Sequence, residues 1–326
     1  MIKKVINKIN EVGYKKTLYL IKLKIFTKFQ SKINPLNNKK NYLFNEKKTY
    51  WNSYNYIKRK YLKKIIDAPK KTGTKKYSNV IWWCWLQGEE NCPQLQKLCL
   101  ESLRKKLHDR EIIVITNDNL FEYITLPDYI IKKHNDGKIS NTHFSDLIRL
   151  QLLIKYGGTW IDSTALCTDY NKEYFDKPLF VFKNLNNIWY ANRNVPDQEA
   201  IVADNWFITS EVGNPILELV RDIMFEYWNE HDYIVDYFIF HYVFTLVVTY
   251  KYNKEFEEIP MCSHLIPHLL QYEYFKKYDK KIIKDILKKS SIHKLTNKVD
   301  LDKIRNDSFY KKFLKMDKDI MRDIYE

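Results

Sequence analysis

The chain has 326 residues, 45% apolar and 15% aromatic, enough to bury one substantial core with appendages and too apolar for a disordered chain. Its formal charge of +15 is uneven: residues 1–79 hold 22 Lys plus Arg against 3 Asp plus Glu, and the remainder holds 33 against 37. The basic character therefore belongs to an N-terminal arm, and the slightly acidic body argues against a globular nucleic-acid-binding face. Five cysteines, at 84, 92, 99, 167 and 262, form no CxxC pair, which argues against a disulfide scaffold or structural zinc site and fits a reducing compartment.

In chain order, residues 2–34 show helical spacing of Val5, Ile9, Leu18, Ile21, Leu23, Ile25 and Phe26 among lysines. Such a basic amphipathic helix suits an anionic membrane surface, or packing on the chain's own domain. Lysines interrupt each apolar run, so a secretory signal is not expected, and no segment reaches the roughly 18 apolar residues of a spanning helix. The nearest, Tyr237 to Val248, contains His241 and reads as a core helix. Pro35 to Lys48 reads as a connector, residues 49–67 as a helix, and Pro69 to Ser78 as a second linker.

From Asn79 short apolar strands alternate with helical segments, which predicts an α/β domain with a largely parallel sheet. Strands are expected at Val80 to Trp85, Glu111 to Thr116, Thr159 to Asp162, Leu179 to Lys183 and Asn205 to Ser210. Helices are expected at Pro93 to Leu107, Phe144 to Tyr156 (capped by Asn141 or Thr142 and stopped by Gly157 and Gly158), Pro215 to Trp228 after Asn214, and Asp232 to Tyr250. The tail from Lys276 reads as helical apart from a loop at 290–298. The organisation expected is an arm at 1–78, a catalytic domain at 79–298 and a helical tail at 299–326.

The segment with most chemical content is Ser145-Asp146-Leu147-Ile148-Arg149, followed by Tyr156-Gly157-Gly158-Thr159-Trp160-Ile161-Asp162-Ser163-Thr164. Asp146 and Arg149, three apart, share a helix face. The helix rises about 1.5 Å per residue, reverses at the glycines, and a strand returning at about 3.3 Å per residue brings Asp162 back toward their level. Two carboxylates and a guanidinium thus converge at the carboxyl edge of a sheet, where open α/β folds bind ligands. The set suits a sugar diphosphate: Asp162 as a ligand for a divalent cation, Mg2+ or Mn2+, and Asp146 with Arg149 on sugar hydroxyls. The same residues also suit an ordinary helix ion pair and an ordinary strand end.

In this order the motif resembles the donor-site signature of glycosyltransferases with the GT-A fold, such as the mannosyltransferase-like family 32 and the clostridial glucosylating toxins. With Ile81-Trp82-x-x-Trp85-x-Gln87-Gly88, Leu126-Pro127-Asp128-Tyr129, Asn205-Trp206-Phe207-Ile208, Asp236 to His241 and Lys294-Leu295-Thr296, residues 79–298 resemble bacterial capsular polysaccharide synthesis proteins. The resemblance implies an α/β fold of GT-A type, Rossmann-like, with a mostly parallel sheet flanked by helices. It places Trp82, Trp85 and Gln87 on the nucleotide; Asp146, Arg149 and Asn205 on the donor sugar; and Asp236 and His241 on the acceptor side. It makes Asp162 the first acid of a metal-binding Asp-x-Asp motif whose second acid is replaced by Thr164, with His293 as a further candidate metal ligand.

The function implied is retaining transfer of a hexose from a nucleotide diphosphate sugar, UDP-linked by expectation, to a lipid-linked saccharide acceptor. That places the protein in the cytoplasm, peripheral at the inner face of the plasma membrane through its arm. A catalytically silent saccharide-binding component of a capsule assembly complex is the alternative, favoured by the replaced acid.

Overall fold

The computed structural model describes residues 38–184, 200–297 and 304–325, so the basic stretch 2–34 lies outside the described residues. Helix α1 (Asn38–Asp67) opens them, and the stretch read as a connector to Lys48 is helical from Asn38 onward. Tyr54, Ile57, Tyr61 and Ile65 follow one another at intervals of three and four, the period of a single helix face, and all four are buried in the main core. The linker after α1 has no regular structure but is tied down: the Thr74 hydroxyl donates to the Val212 carbonyl and the Lys75 amide to the Glu211 carboxylate, both at 2.5 Å.

The alternating elements then follow: β1 (Val80–Cys84), α2 (Gln94–Lys106), β2 (Glu111–Ile115), α3 (Leu120–Tyr123), α4 (Asp128–Asn135), α5 (Asn141–Tyr156) and β3 (Gly158–Ile161). Next come β4 (Ala165–Cys167), β5 (Leu179–Lys183), β6 (Ala203–Ser210), α6 (Pro215–Glu230), α7 (Ile239–Tyr250), α8 (Asn253–Glu257) and α9 (Leu265–Glu273). The chain closes with α10 (Lys280–Lys289), β7 (Ile292–Lys294), α11 (Phe309–Leu314) and α12 (Lys318–Tyr325).

Five strands form the central sheet in the order β2-β1-β3-β6-β5. β1 runs parallel to β2 and β3, and β6 runs antiparallel to β3 and β5, so four strands share one direction. The mostly parallel α/β sheet expected from the alternation is therefore present. Three consecutive residues of β1, Ile81, Trp82 and Trp83, are buried, the pattern of a strand covered on both faces. α5 packs against β1, β3 and β6, α6 lies on α5, and α7 packs on α6, β6 and α1. β4 and β7 form a separate antiparallel pair. A second apolar cluster joins α2 to the C-terminal helices through Leu95, Leu98, Leu166, Leu270, Ile283, Phe309, Phe313 and Ile320.

Two local signals differ from the sequence expectation. α5 is capped by Ser140, whose hydroxyl accepts from the His143 amide at 3.4 Å, and not by Asn141 or Thr142. α7 begins at Ile239, because Asp236 accepts from the Phe238 amide at 3.0 Å and holds the preceding residues in a turn. The cap at Asn214 stands as expected, its side chain accepting from the Ile216 and Leu217 amides ahead of Pro215. β7 falls inside the stretch read as a loop.

Candidate functional site

The site is built by the reversal between α5 and β3. Gly157 and Gly158 both have positive φ, +67 and +88, and a Cβ on Gly158 would lie 2.4 Å from the Val80 carbonyl oxygen. Only glycine serves at both conditions. The freed Gly157 carbonyl accepts from the buried Trp82 indole at 2.8 Å, which fastens the reversal to β1. β3 then delivers Asp162 to its carboxyl end, where the Asp162 amide pairs with the Trp206 carbonyl at 2.8 Å.

Asp146, Arg149 and Asp162 do converge. The Arg149 guanidinium lies 3.3 Å from the Asp146 carboxylate and 3.4 Å from that of Asp162, with the Trp160 ring 4.9 Å from its centre. It also donates to the Asn205 carbonyl, while the Asn205 side chain donates to Asp146 at 3.0 Å. Asp146 and Arg149 are each 3% exposed, so this is a buried ion pair, with Asn205 hydrogen-bonded to both members. The Asp162 side chain, at 27%, opens to solvent.

Burial, only partly offset by Arg149 and reinforced by the charge of Asp162, pushes the Asp146 carboxyl up to about 7. Burial would raise Asp162 as well, but Lys294 and Arg149 and the hydrogen bonds from the Trp160 indole and Lys294 outweigh it and hold that carboxyl below its usual range. Two neighbouring carboxyls thus titrate far apart, the arrangement by which active sites assign different proton roles to like groups.

Lys294 is the residue sequence reasoning passed over. Its ammonium lies 3.1 Å from the second Asp162 oxygen and 2.5 Å from the Thr164 hydroxyl. The Leu295 amide donates to the Thr164 carbonyl at 2.8 Å, which fixes β7 against this corner. Successive strand residues face opposite ways, so His293 turns from Lys294's side into the interior, where it pairs with the Thr168 hydroxyl at 3.2 Å. Burial lowers its imidazole to about 4. The cation seated on Asp162 and Thr164 is therefore a side-chain ammonium, and His293 is not brought to join them as a third metal ligand. The presence of Lys294 within the Lys294-Leu295-Thr296 motif was the available signal.

The remaining candidates are distributed around this core. Trp82 is buried, packed between Tyr123 and Tyr156 with ring centroids 5.6 and 5.5 Å away. Trp85 is partly exposed and Gln87 exposed, both on the segment leaving β1. Asp236 sits between α1 and α7, with Ser53 and Tyr242 as hydrogen-bond partners, and burial raises its carboxyl. His241 lies within the electrostatic reach of Arg149 and Asp162; burial first, then Arg149, lower its imidazole to about 3. Its Nδ1 is buried with no hydrogen-bond partner among the described residues.

Asp204, the second residue of β6, stands with His264 and His268 in a group whose ligand atoms lie within 4.8 Å of one another, a three-residue set able to hold a metal ion. A cavity of about 480 Å3, lined by Lys71, Gly73, Pro178, Glu211, Asn214 and Pro260 among others, shares no residue with the Asp146, Arg149 and Asp162 cluster. No helix among the described residues is long and apolar enough to cross a membrane.

Known proteins give this geometry a context. The family described as capsular polysaccharide synthesis protein matches residues 31–313. The O-glycosyltransferase braB of Annulohypoxylon truncatum is 23% identical over 171 residues, 46% of this chain and 37% of that protein, so the similarity spans little more than a third of the relative. Among solved structures, the PaToxG glycosyltransferase aligns with a TM-score of 0.36 and 11% identity, covering 74% of this chain and 93% of that one.

Proposed function

From the premise that this chain belongs to the capsular polysaccharide synthesis family, we propose that it is a glycosyltransferase that moves a hexose from a nucleotide diphosphate sugar to a hydroxyl of a lipid-linked saccharide. The observation that carries the reading is the meeting of Asp146, Arg149 and Asp162 at the carboxyl end of β3, with Lys294 beside them. The curated relative that is named an O-glycosyltransferase supports the same reaction class.

In this reading Asp146, fixed by Asn205 and Arg149, orients donor hydroxyls through hydrogen bonds whose geometry is set before the sugar arrives. The diphosphate leaves against positive charge supplied by Lys294, whose ammonium is already held at the open end of the site by Asp162 and Thr164. Trp85 and Gln87, on the rim, face the nucleotide, and His241 and Asp236 lie toward the acceptor. The anomeric outcome is retention, by attack of the acceptor hydroxyl on the face the phosphate leaves, the departing phosphate oxygen taking the acceptor's proton. No protein nucleophile is needed.

The test is a panel of nucleotide sugars incubated with the full chain, with release of the nucleoside diphosphate as readout, alongside Asp162→Ala. One donor turned over, with a loss of about a hundredfold or more in the variant, supports the reading. Turnover unchanged in Asp162→Ala removes the site assignment, and no turnover of any donor turns the reading to a silent saccharide-binding component.

A further inference from the structure

The Asp204, His264 and His268 group lies outside the cluster used above and has the chemistry of a metal centre. The topology brings its members together. The Lys183 amide donates to the Cys262 carbonyl at 2.8 Å, and the His264 amide donates back to the Lys183 carbonyl at 2.9 Å, which lays the loop before α9 along the end of β5. Lys183 pairs with Ala203 of β6, so the next residue, Asp204, stands beside that loop. His264 directly precedes α9 and His268 lies four residues on, one helical turn away on the same face.

Each of the three residues offers a donor atom to a common space. Asp204 Oδ1 lies 3.7 Å from His264 Nδ1. The other carboxylate oxygen, Oδ2, accepts from the Trp206 indole at 2.8 Å. His268 Nδ1 is set against the His264 carbonyl at 2.6 Å, so Nδ1 carries the proton and Nε2 is the nitrogen left to coordinate. A ligating carboxylate fixed through its far oxygen, and an imidazole fixed through its far nitrogen onto a backbone carbonyl, are the outer partners that metal ligands ordinarily have. His264 Nε2 is buried with no partner among the described residues. The three donor atoms all lie within 4.8 Å of one another, comparable to the roughly 4.2 Å between opposite ligands at about 2.1 Å.

We propose that Asp204, His264 and His268 bind one divalent first-row transition-metal ion, manganese or zinc in class, through one oxygen and two nitrogens. Two imidazoles beside one carboxylate favour such an ion over magnesium or calcium, which take oxygen ligands. Three protein ligands leave positions open for solvent or for an oxygen of a bound substrate. Asp204 feels the charge of Lys294, which is bonded to Asp162, so the ion sits near the proposed donor site without using Asp162 itself. The assignment does not depend on the transferase reading.

Metal binding by the full chain, stripped with chelator and dialysed, tests it by calorimetric titration with Mn2+ and with Zn2+. The expected result is one ion per chain, affinity lowered by at least about tenfold in His264→Gln and in His268→Gln, and affinity unchanged in Asp162→Ala. Electron spin-echo spectroscopy of the wild-type Mn2+ form, which needs no variant to fold, should show nitrogen coupling from coordinated imidazole. Absence of stoichiometric binding, a manganese signal without nitrogen coupling, wild-type affinity in both histidine variants, or loss confined to Asp162→Ala would each overturn the proposal.

Discussion

At Asp146 the folded chain holds a proton that the unfolded chain gives up, because burial lifts its carboxyl to about 7. A folded value above the unfolded one contributes stability that is fully present below about pH 4 and is lost as the pH rises through 7. Asp162, held below its usual range, works in the opposite sense and loses its contribution only in acid. Asp146→Asn should therefore flatten the fall in unfolding free energy between about pH 4 and 7 relative to wild type, measured by denaturant titration; parallel curves would refute the assignment. Arg149 touches both carboxylates from a buried position, so Arg149→Met should cost about 3–5 kcal/mol, and adding Asp146→Leu should recover part of it. Lys294→Met removes a cation from a solvent-facing corner: the expected outcome is a small change in thermal stability and a loss of donor turnover of about a hundredfold.

The reversal between α5 and β3 is the element on which the site depends, and it was legible in the sequence because two adjacent glycines after an apolar helix leave few alternatives. Gly158→Ala should destabilise the fold by at least about 1–3 kcal/mol from its positive φ alone, before the clash with the Val80 carbonyl. Asp146, Arg149 and Asp162 could be placed together for the same reason, since helix rise and strand rise are fixed lengths. What spacing could not give was the approach of β7, which arrives from 132 residues further along the chain and brings Lys294, not His293, to Asp162. The Asp204, His264 and His268 group was hidden likewise, because only the pairing of Lys183 with the loop before α9 unites it. Nor did the basic, aromatic pattern of α1 announce its burial against α7. Ile57→Ala should cost about 2–5 kcal/mol in unfolding free energy, a value a merely solvated helix would not give.

On the scale of the whole molecule, charge and chemistry are separated along the sequence. The excess of 22 basic over 3 acidic residues lies in 1–79, and the body that carries the cluster is slightly acidic. Each basic residue near an anionic bilayer contributes about 1 kcal/mol, so the full chain should sediment with anionic vesicles in a salt-sensitive manner, and a form beginning at residue 38 should do so less; equal sedimentation would remove the arm from membrane binding. The cluster and the cavity beside Gly73 and Glu211 are rival places for a nucleotide sugar, and they share no residue. Amide hydrogen exchange of the full chain, with and without saturating nucleotide sugar, separates them most directly. Slowed exchange is expected across 141–149, 159–166 and 203–207; protection confined to the cavity lining, or none with any donor, would contradict the placement of the donor on Asp146, Arg149 and Asp162.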